Sequence, residues 1–290
     1  MDDLTATSAA AVTRMTGEIW NRRNTALVPV LYAADHIRHE PGGDDGVGFE
    51  TARAAAERLH ARFPAAPQVE HILVANGHLV FRRWSFTGIH HAPDGAVSPA
   101  PPMLDAMTIC KLRDGLLAET WTTADWFGLD LQLAGRPFAA ETLTYGQFLA
   151  SLDDDPRART AAIRAVREVC GAGDLAAIPD LFAPDHRDHS SHGAAAPGHD
   201  GLRAWASSRR AAFSELTAEV DESIVVAAGE WVAVPWTSSG RQTGPFLGHA
   251  TTGREAVWGG QALVRVRDGQ IVETWRIEDV AGIIRRLGLS

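Results

Sequence analysis

Along the second half of the chain the spacing of apolar residues changes part-way. Ile163, Val166 and Val169 fall three apart, the repeat of one helix face, and Gly171 and Gly173 stop the pattern. Asp174 is placed to cap a short helix after them, with Pro179 in a first-turn position, as Pro29 is in the first half. Beyond a His-rich loop, residues 200–213 read as a helix whose inward face carries Leu202, Trp205, Ala212 and Phe213. From there the period becomes two. Residues 217–226, 230–239, 256–266 and 270–277 read as strands, separated by Ala228-Gly229, a Gly/Pro/Thr-rich loop and an Asp268-Gly269 hairpin turn. The first half follows the same order, with Asn76-Gly77 at its first hairpin and Asp114-Gly115 at its last. Helices first and a strongly curved antiparallel sheet after them make an α+β pattern.

The two halves also share letters. Residues 114–128 and 268–282 both read D-G-x-x-x-E-T-W-x-x-x-D-x-x-G. Pro29 and Pro179, Asp35-His36 and Asp185-His186, His39 and His189, and Trp84 and Trp236 recur in the same order. The offset drifts from 150 at the prolines to 152 at the tryptophans and 154 at the motif, as loop insertions between two copies of one fold produce. The chain is read as a tandem duplication. Its predicted domains are residues 1–134 and 158–290, joined by a linker, 135–157, that holds Arg136-Pro137 and the acidic run Asp153-Asp154-Asp155-Pro156. Within that linker, residues 143–152 read as a short amphipathic helix.

Composition narrows the class. A length of 290 residues suits two domains, and 45% hydrophobic with 22% charged residues is ordinary for a globular protein. The net charge of −9, with no Lys/Arg run, argues against a nucleic-acid partner. Residues 1–16 carry Asp2 and Asp3 where a signal peptide would carry positive charge, and no window approaches the ~18 apolar residues that span a bilayer. A cytoplasmic protein with no membrane partner is expected. Cys110 and Cys170 lie at non-equivalent places in the two copies, which points to small buried hydrophobes rather than a disulfide.

The closing motif E-x-W-x-x-x-D-x-x-G-(L/I), followed by Leu-Gly in the second copy, resembles the SnoaL-like polyketide cyclases of the nuclear transport factor 2-like superfamily. So do Trp236-Thr237-Ser238-Ser239-Gly240, Gly244–His249 and Thr252-Gly253-Arg254. The first copy keeps Asp35–Pro41 and Phe86–His90 but replaces the T-G-R loop with the Pro-rich segment 91–103. The resemblance implies two tandem cone-shaped α+β barrels, packed much as the family's homodimer is, with the whole chain a monomer or a homodimer. It also implies a cofactor-free, metal-free reaction on a hydrophobic, polyketide-like small molecule. In that family the matching aspartate abstracts a proton so that an intramolecular aldol ring closure follows, and this role falls on Asp125 and Asp279. Asp is also a preferred helix N-cap, and Asp279 directly precedes the apolar helical spacing of Ile283, Ile284 and Leu287, so a capping role is the competing expectation.

Other candidates follow from position. If its face is the concave one, Asp105 pairs with Asp125 as acid and base in the first copy. Gln261, aligned with Met107, would donate to an enolate oxygen in the second. His39 and His189, with His90, are expected as polar pocket groups, while His186, His192 and His199 read as loop residues or fold-holding hydrogen bonders. A metal reading of His186-x-x-His189-x-x-His192 is weighed against the resemblance and set aside. Nine tryptophans stand in the chain, and Trp84, Trp121, Trp126, Trp236, Trp258 and Trp275 are read as core or as flat walls for a planar ligand. On the closing strands Leu117, Glu119 and Trp121, like Ile271, Glu273 and Trp275, are expected to share a face. Two further readings remain: epoxide opening or isomerisation, if Asp105, Asp125 and Arg82 or Arg83 converge, and a non-catalytic binder, if both motif aspartates serve as caps.

Overall fold

The computed structural model describes residues 3–41, 45–92, 95–98, 100–136, 147–150, 155–190 and 197–289. They fall into two compact units, residues 3–150 and 155–289. None of their helices is long and apolar enough to cross a membrane.

In the first unit, helix α1 (Asp3–Met15) continues as a π-helical segment, Thr16–Asn21, and a 3-10 turn leads into α2 (Val28–Leu31) and strand β1 (Tyr32–His39). Then come β2 (Gly46–Val47), α3 (Phe49–Arg62), β3 (Gln68–Asn76), β4 (Leu79–Thr87), β5 (Met103–Arg113), β6 (Leu116–Ala124), α4 (Trp126–Leu133) and β7 (Gln147–Ala150). The sheet order is β2-β1-β6-β5-β4-β3-β7, with β1 parallel to β6. Strand β7 lies parallel to β3, so residues 147–150 form a strand where an amphipathic helix was expected; the rest of 143–152 lies outside the described residues.

The second unit repeats this as α5 (Pro156–Arg164), a π-helical segment Ala165–Ala172, α6 (Ile178–Leu181), β8 (Phe182–Asp188), α7 (Gly198–Ala212), β9 (Phe213–Glu219), β10 (Val226–Ala228), β11 (Trp231–Gln242), β12 (Glu255–Arg267), β13 (Gln270–Glu278) and α8 (Val280–Leu287). Its sheet runs β10-β11-β12-β13-β8, and β9 also pairs with β11. The single strand expected over 217–226 is broken, because Asp221 caps a 3-10 turn, Glu222–Ile224, between β9 and β10. Asp174 caps as expected, its carboxylate accepting from the Ala176 N–H at 3.0 Å.

Both closing hairpins turn through two left-handed residues, Asp114 and Gly115 at φ 54° and 77°, and Asp268 and Gly269 at 51° and 81°. That is the geometry whose twist matches the flanking strands. Just beyond each turn the closing strand bulges. Lys111 pairs with Glu119 but Leu112 pairs with Leu117, leaving Ala118 extra; Arg265 pairs with Glu273 but Val266 with Ile271, leaving Val272 extra. The bulge corrects the expected alternation. Leu117 joins the first core cluster, and Ile271 shares the helix-facing side with Thr274 and Arg276, while Glu119, Trp121, Glu273 and Trp275 lie on the opposite face. In each unit the core therefore sits between the leading helix and the concave face of the sheet.

Candidate functional site

The concave face of the second unit encloses a cavity of about 30 Å3, room for about two waters. Small residues make the space: Ala162, Ala165, Ala262 and Cys170 line it together with the aromatic walls Trp205, Trp236 and Phe182. Thr274 and Arg276 complete an almost wholly apolar lining, brought inward at alternate positions of β13 by the bulge. Trp236 lies over Gly260, where a Cβ would stand 2.2 Å from its ring.

Arg276 is nine-tenths buried. Its Nη2 donates to Asp188 Oδ2 at 3.0 Å, and its guanidinium lies 3.8 Å from the centre of the Trp205 ring. Burial opposes ionisation of Asp188, but the Arg276 charge and hydrogen bonds from the Ser190 hydroxyl and N–H outweigh it and hold the carboxyl below the usual carboxylate range. His186 shares a 2.9 Å hydrogen bond with the Thr274 hydroxyl, and burial pushes its imidazole down to about 4, so it is a neutral scaffold group. Arg209 of α7 pairs with Glu278 and lies 5.7 Å from the Phe246 ring; burial, then the like charge of Arg276, lower it to about 10. The two arginine–carboxylate pairs are thus electrostatic neighbours, and of their members Arg276 lines the cavity. The 243–253 loop is held by the fully buried Gln242, whose amide donates to the Gly244 and Ala250 carbonyls and accepts from Thr252.

The predicted residues divide. Asp279 caps α8, with Oδ1 accepting from the Gly282 N–H at 2.8 Å and Oδ2 from Arg286 at 3.1 Å; Asp125 caps α4 through the Gly128 N–H at 2.8 Å. The capping geometry expected as the competing role is present at both. Asp105 is not on the concave face: its carboxylate pairs with Arg83 Nη2 at 2.6 Å on the side opposite Ala106 and Cys110. Only its carbonyl meets Asp125, through the Asp125 N–H at 2.8 Å, so the expected carboxylate pair and the Asp-Arg-Asp convergence do not form. Met107 and Gln261 point the same way as Asp105, because each neighbours an inward residue, Ala106 and Ala262.

His39 and His189 are likewise not pocket groups. Each stacks on the motif tryptophan, Trp121 or Trp275, with centroids 4.5 Å apart and an 11° tilt, and each meets the motif glutamate, at 3.1 Å for Glu119 and 3.3 Å for Glu273. Trp121 and Trp275 are therefore supports on the outer face rather than ligand walls. Trp126 and His90 come together through Arg62, which lies 4.7 Å from the Trp126 ring and donates to His90 Nε2 at 3.1 Å. Trp258 is buried on the concave face against Phe213 at 5.1 Å, outside the cavity lining. His36 and His199 hold the fold through Thr120 and the Phe182 carbonyl; His192 lies outside the described residues. Among the described residues no three metal-ligating side chains come together.

The first unit carries bulkier side chains at the corresponding positions. Trp20 stands where Cys170 does, stacked on Trp84 at 6.4 Å with its N–H on Met15 Sδ at 2.9 Å, and Met15 replaces Ala165. Arg82, at the place of Val234, is fully buried between Gln68, Glu70 and Trp84. The inward positions of its closing strand carry Thr120, Thr122 and Ala124 where the second unit has Thr274, Arg276 and Glu278. Asp188, Arg209, Arg276 and Glu278 were missed in the sequence; the signal was there, in charged residues at inward positions of one copy that are Arg38, Leu59, Thr122 and Ala124 in the other.

The family model for SnoaL-like polyketide cyclases matches the chain twice, over residues 10–133 and 160–287, and the chain belongs to that family. Each unit is an α+β fold of helices packed on a curved, mixed sheet, and each carries one of the two family matches. Similar solved structures each correspond to about one unit. TsrD of Streptomyces laurentii is 25% identical, covering 48% of this chain and 100% of its own, with a TM-score of 0.43. A SnoaL-like protein of Jannaschia is 23% identical, covering 48% and 99%, with a TM-score of 0.44. IdmH of Streptomyces antibioticus, a candidate polyketide cyclase, is 31% identical, covering 45% and 98%, with a TM-score of 0.39. No curated protein matches the chain.

Proposed function

We propose that the second unit is the working barrel and that it promotes acid–base ring closure of a hydrophobic, polyketide-like small molecule. The observation that carries this reading is the Trp-walled apolar cavity, in the unit that has the small residues Cys170 and Ala165 and the apolar Val234 where the other has Trp20, Met15 and Arg82. Flat apolar walls with few convergent polar groups are what such a ligand requires. The space for about two waters must widen for a ring system to enter, and the wall of small side chains on the π-helical segment 165–172 is where it has least to displace.

Asp279 is the proposed general base, through the family resemblance, and the first unit serves as a filled companion. The cap bonds of Asp279 favour a second reading, a binder without chemistry. One substitution separates the two. Asn caps a helix about as well as Asp but is not a base. With a tricarbonyl ester of the poly-β-keto type as probe, its three ketones β-spaced beyond the ester so that aldol closure onto the last ketone and loss of one water create an absorbing phenol, Asp279→Asn is expected to keep the folded protein and lose about 10²–10⁴ in rate. An unchanged rate would leave Asp279 a cap; absence of closure by the wild-type protein, with the probe bound, would favour the binder.

A further inference from the structure

One wall of the second cavity is built in an uncommon way. Helix α5 changes to π-helical pairing at Ala165, and the change persists for eight residues, to Ala172. Most π-helix in proteins is a single-turn bulge, often at a functional site. Ala165, Val166, Val169 and Cys170 of this run line the cavity, so the π-helix is itself the wall. With bonds from i to i+5 it holds more residues in each turn than an α-helix and is wider. The wall therefore stands further into the barrel than an α-helix on the same axis would.

That pairing is one step from α. Passing from i→i+5 to i→i+4 bonds keeps one backbone bond per residue, so the two forms lie close in energy, and the surplus length of the narrower helix has to leave at one end. Gly171 and Gly173 stand at the C-terminal end to take it up, Gly173 already being left-handed at φ 68°. The Glu168 carbonyl holds this end in the π form by accepting from the Gly173 N–H and, at 2.8 Å, from the Asp174 N–H. The Gly171 carbonyl accepts from Arg210 Nη1 of α7 at 3.0 Å, and the Arg210 stem lies across Gly173. The first unit repeats the π run at Thr16–Asn21, but with Trp20 at the place of Cys170, Met15 at that of Ala165 and His60 at that of Arg210.

We infer that segment 165–172 is the gate of the second barrel, that it opens by passing from π to α pairing, and that Arg210 is its latch. The narrower form withdraws Val169 and Cys170 and makes the room that a ring system lacks in a cavity of about 30 Å3. Arg210 is a positioning residue, acting through the Gly171 carbonyl from outside the lining. The inference rests on the second barrel being the ligand site.

Hydrogen exchange of the full chain reads the gate. Amides of residues 168–172 are expected to exchange by local opening, at a rate that does not change with urea below the unfolding transition, because little surface is exposed. Arg210→Met keeps a stem over Gly173 and loses the bond to the Gly171 carbonyl. It is expected to speed that exchange about ten- to a hundred-fold, the effect of one hydrogen bond from a charged donor. Naphthalene, flat, neutral and too large for the closed cavity, links opening to binding: its Kd is expected to fall by the factor by which exchange rises, since apparent affinity scales with the competent fraction. Exchange that follows urea with the slope of global unfolding would overturn the gate, as would exchange unaltered by Arg210→Met. Faster exchange with an unchanged naphthalene Kd would show only a fraying helix end and overturn it too, and so would absence of naphthalene binding by both proteins. Naphthalene bound in the expected ratio without turnover of the tricarbonyl ester would sink only the catalytic reading, whereas turnover with an unmoved Kd would sink the gate alone.

Discussion

The two barrels differ least where they look outward and most where they look in. On the outer face the pairs His39–Trp121 and His189–Trp275 superpose in kind down to the same stacking distance and tilt. Inside, Cys170, Ala165 and Val234 of one copy are Trp20, Met15 and Arg82 of the other. The supports that shape the strands are the same in both copies, whereas the linings differ. The polar content of each interior changed as well. The second unit carries its buried charge as Arg276 with Asp188, whereas the first carries Arg82 among Gln68 and Glu70.

The sharpest way to break this comparison is to treat the copies alike. Asp125→Asn is expected to leave the rate on the tricarbonyl ester unchanged while Asp279→Asn lowers it about 10²–10⁴-fold; equal losses in steady-state kinetics would show that both barrels work. The next largest effect exchanges the fillings. Trp20→Ala is expected to cost about 3–5 kcal/mol of stability by opening a cavity in the first unit, and Cys170→Trp about 1–3 kcal/mol by overpacking the second, with loss of turnover of the tricarbonyl ester only in the latter. Denaturant unfolding and steady-state kinetics read the two outcomes separately.

Acid should then distinguish the units. Burial lowers His36 and His71 to about 4 and also lowers His60 and His90 in the first unit, against His186, also at about 4, in the second. A histidine with a depressed folded pKa favours the unfolded chain on protonation, so its contribution is complete above the ordinary value near 6.5 and is lost as the pH falls through 6.5 towards 4. At pH 5 each strongly shifted histidine removes roughly 2 kcal/mol. Hydrogen exchange from pH 7 to pH 5 is expected to show the first unit losing protection before the second; the reverse order would contradict this accounting. The smallest test is at the helix caps. Asp174→Ala should cost about 1 kcal/mol, whereas Asn24, its counterpart, makes no side-chain cap bond and its replacement by Ala should shift the thermal midpoint far less.

How much of this was legible beforehand follows from which physics was local. The helix stripe at Ile163, Val166 and Val169, the Asp174 cap, the Asp-Gly turns and the repeated order of strands are set within a few residues, and they read correctly. The break at Asp221 was hidden because its apolar alternation continues on both sides of the 3-10 turn. The site was harder. A one-residue bulge exchanged the two faces of each closing strand, so Trp275 and His189 were taken for pocket walls and Arg276 was passed over. Asp105 lies on β5, which has no spare residue, and nothing in its own alternation said which side of that strand is concave. The contacts of Arg276, with a carboxylate from position 188 and a ring from position 205, are long-range and have no local signature.

Those bulges give the closing strand something like a reading frame. Ala118 and Val272 are the spare letters: remove Val272 and Ile271 still pairs with Val266, Glu273 with Arg265, and every later residue keeps its side, at the expense of some twist. Remove one residue between Glu273 and Glu278 instead and the segment beyond the gap shifts frame, presenting its outer letters to the interior and its inner ones to the opposite face. Insertions and deletions in relatives of this chain should therefore be tolerated at the spare letter and purged a few residues later.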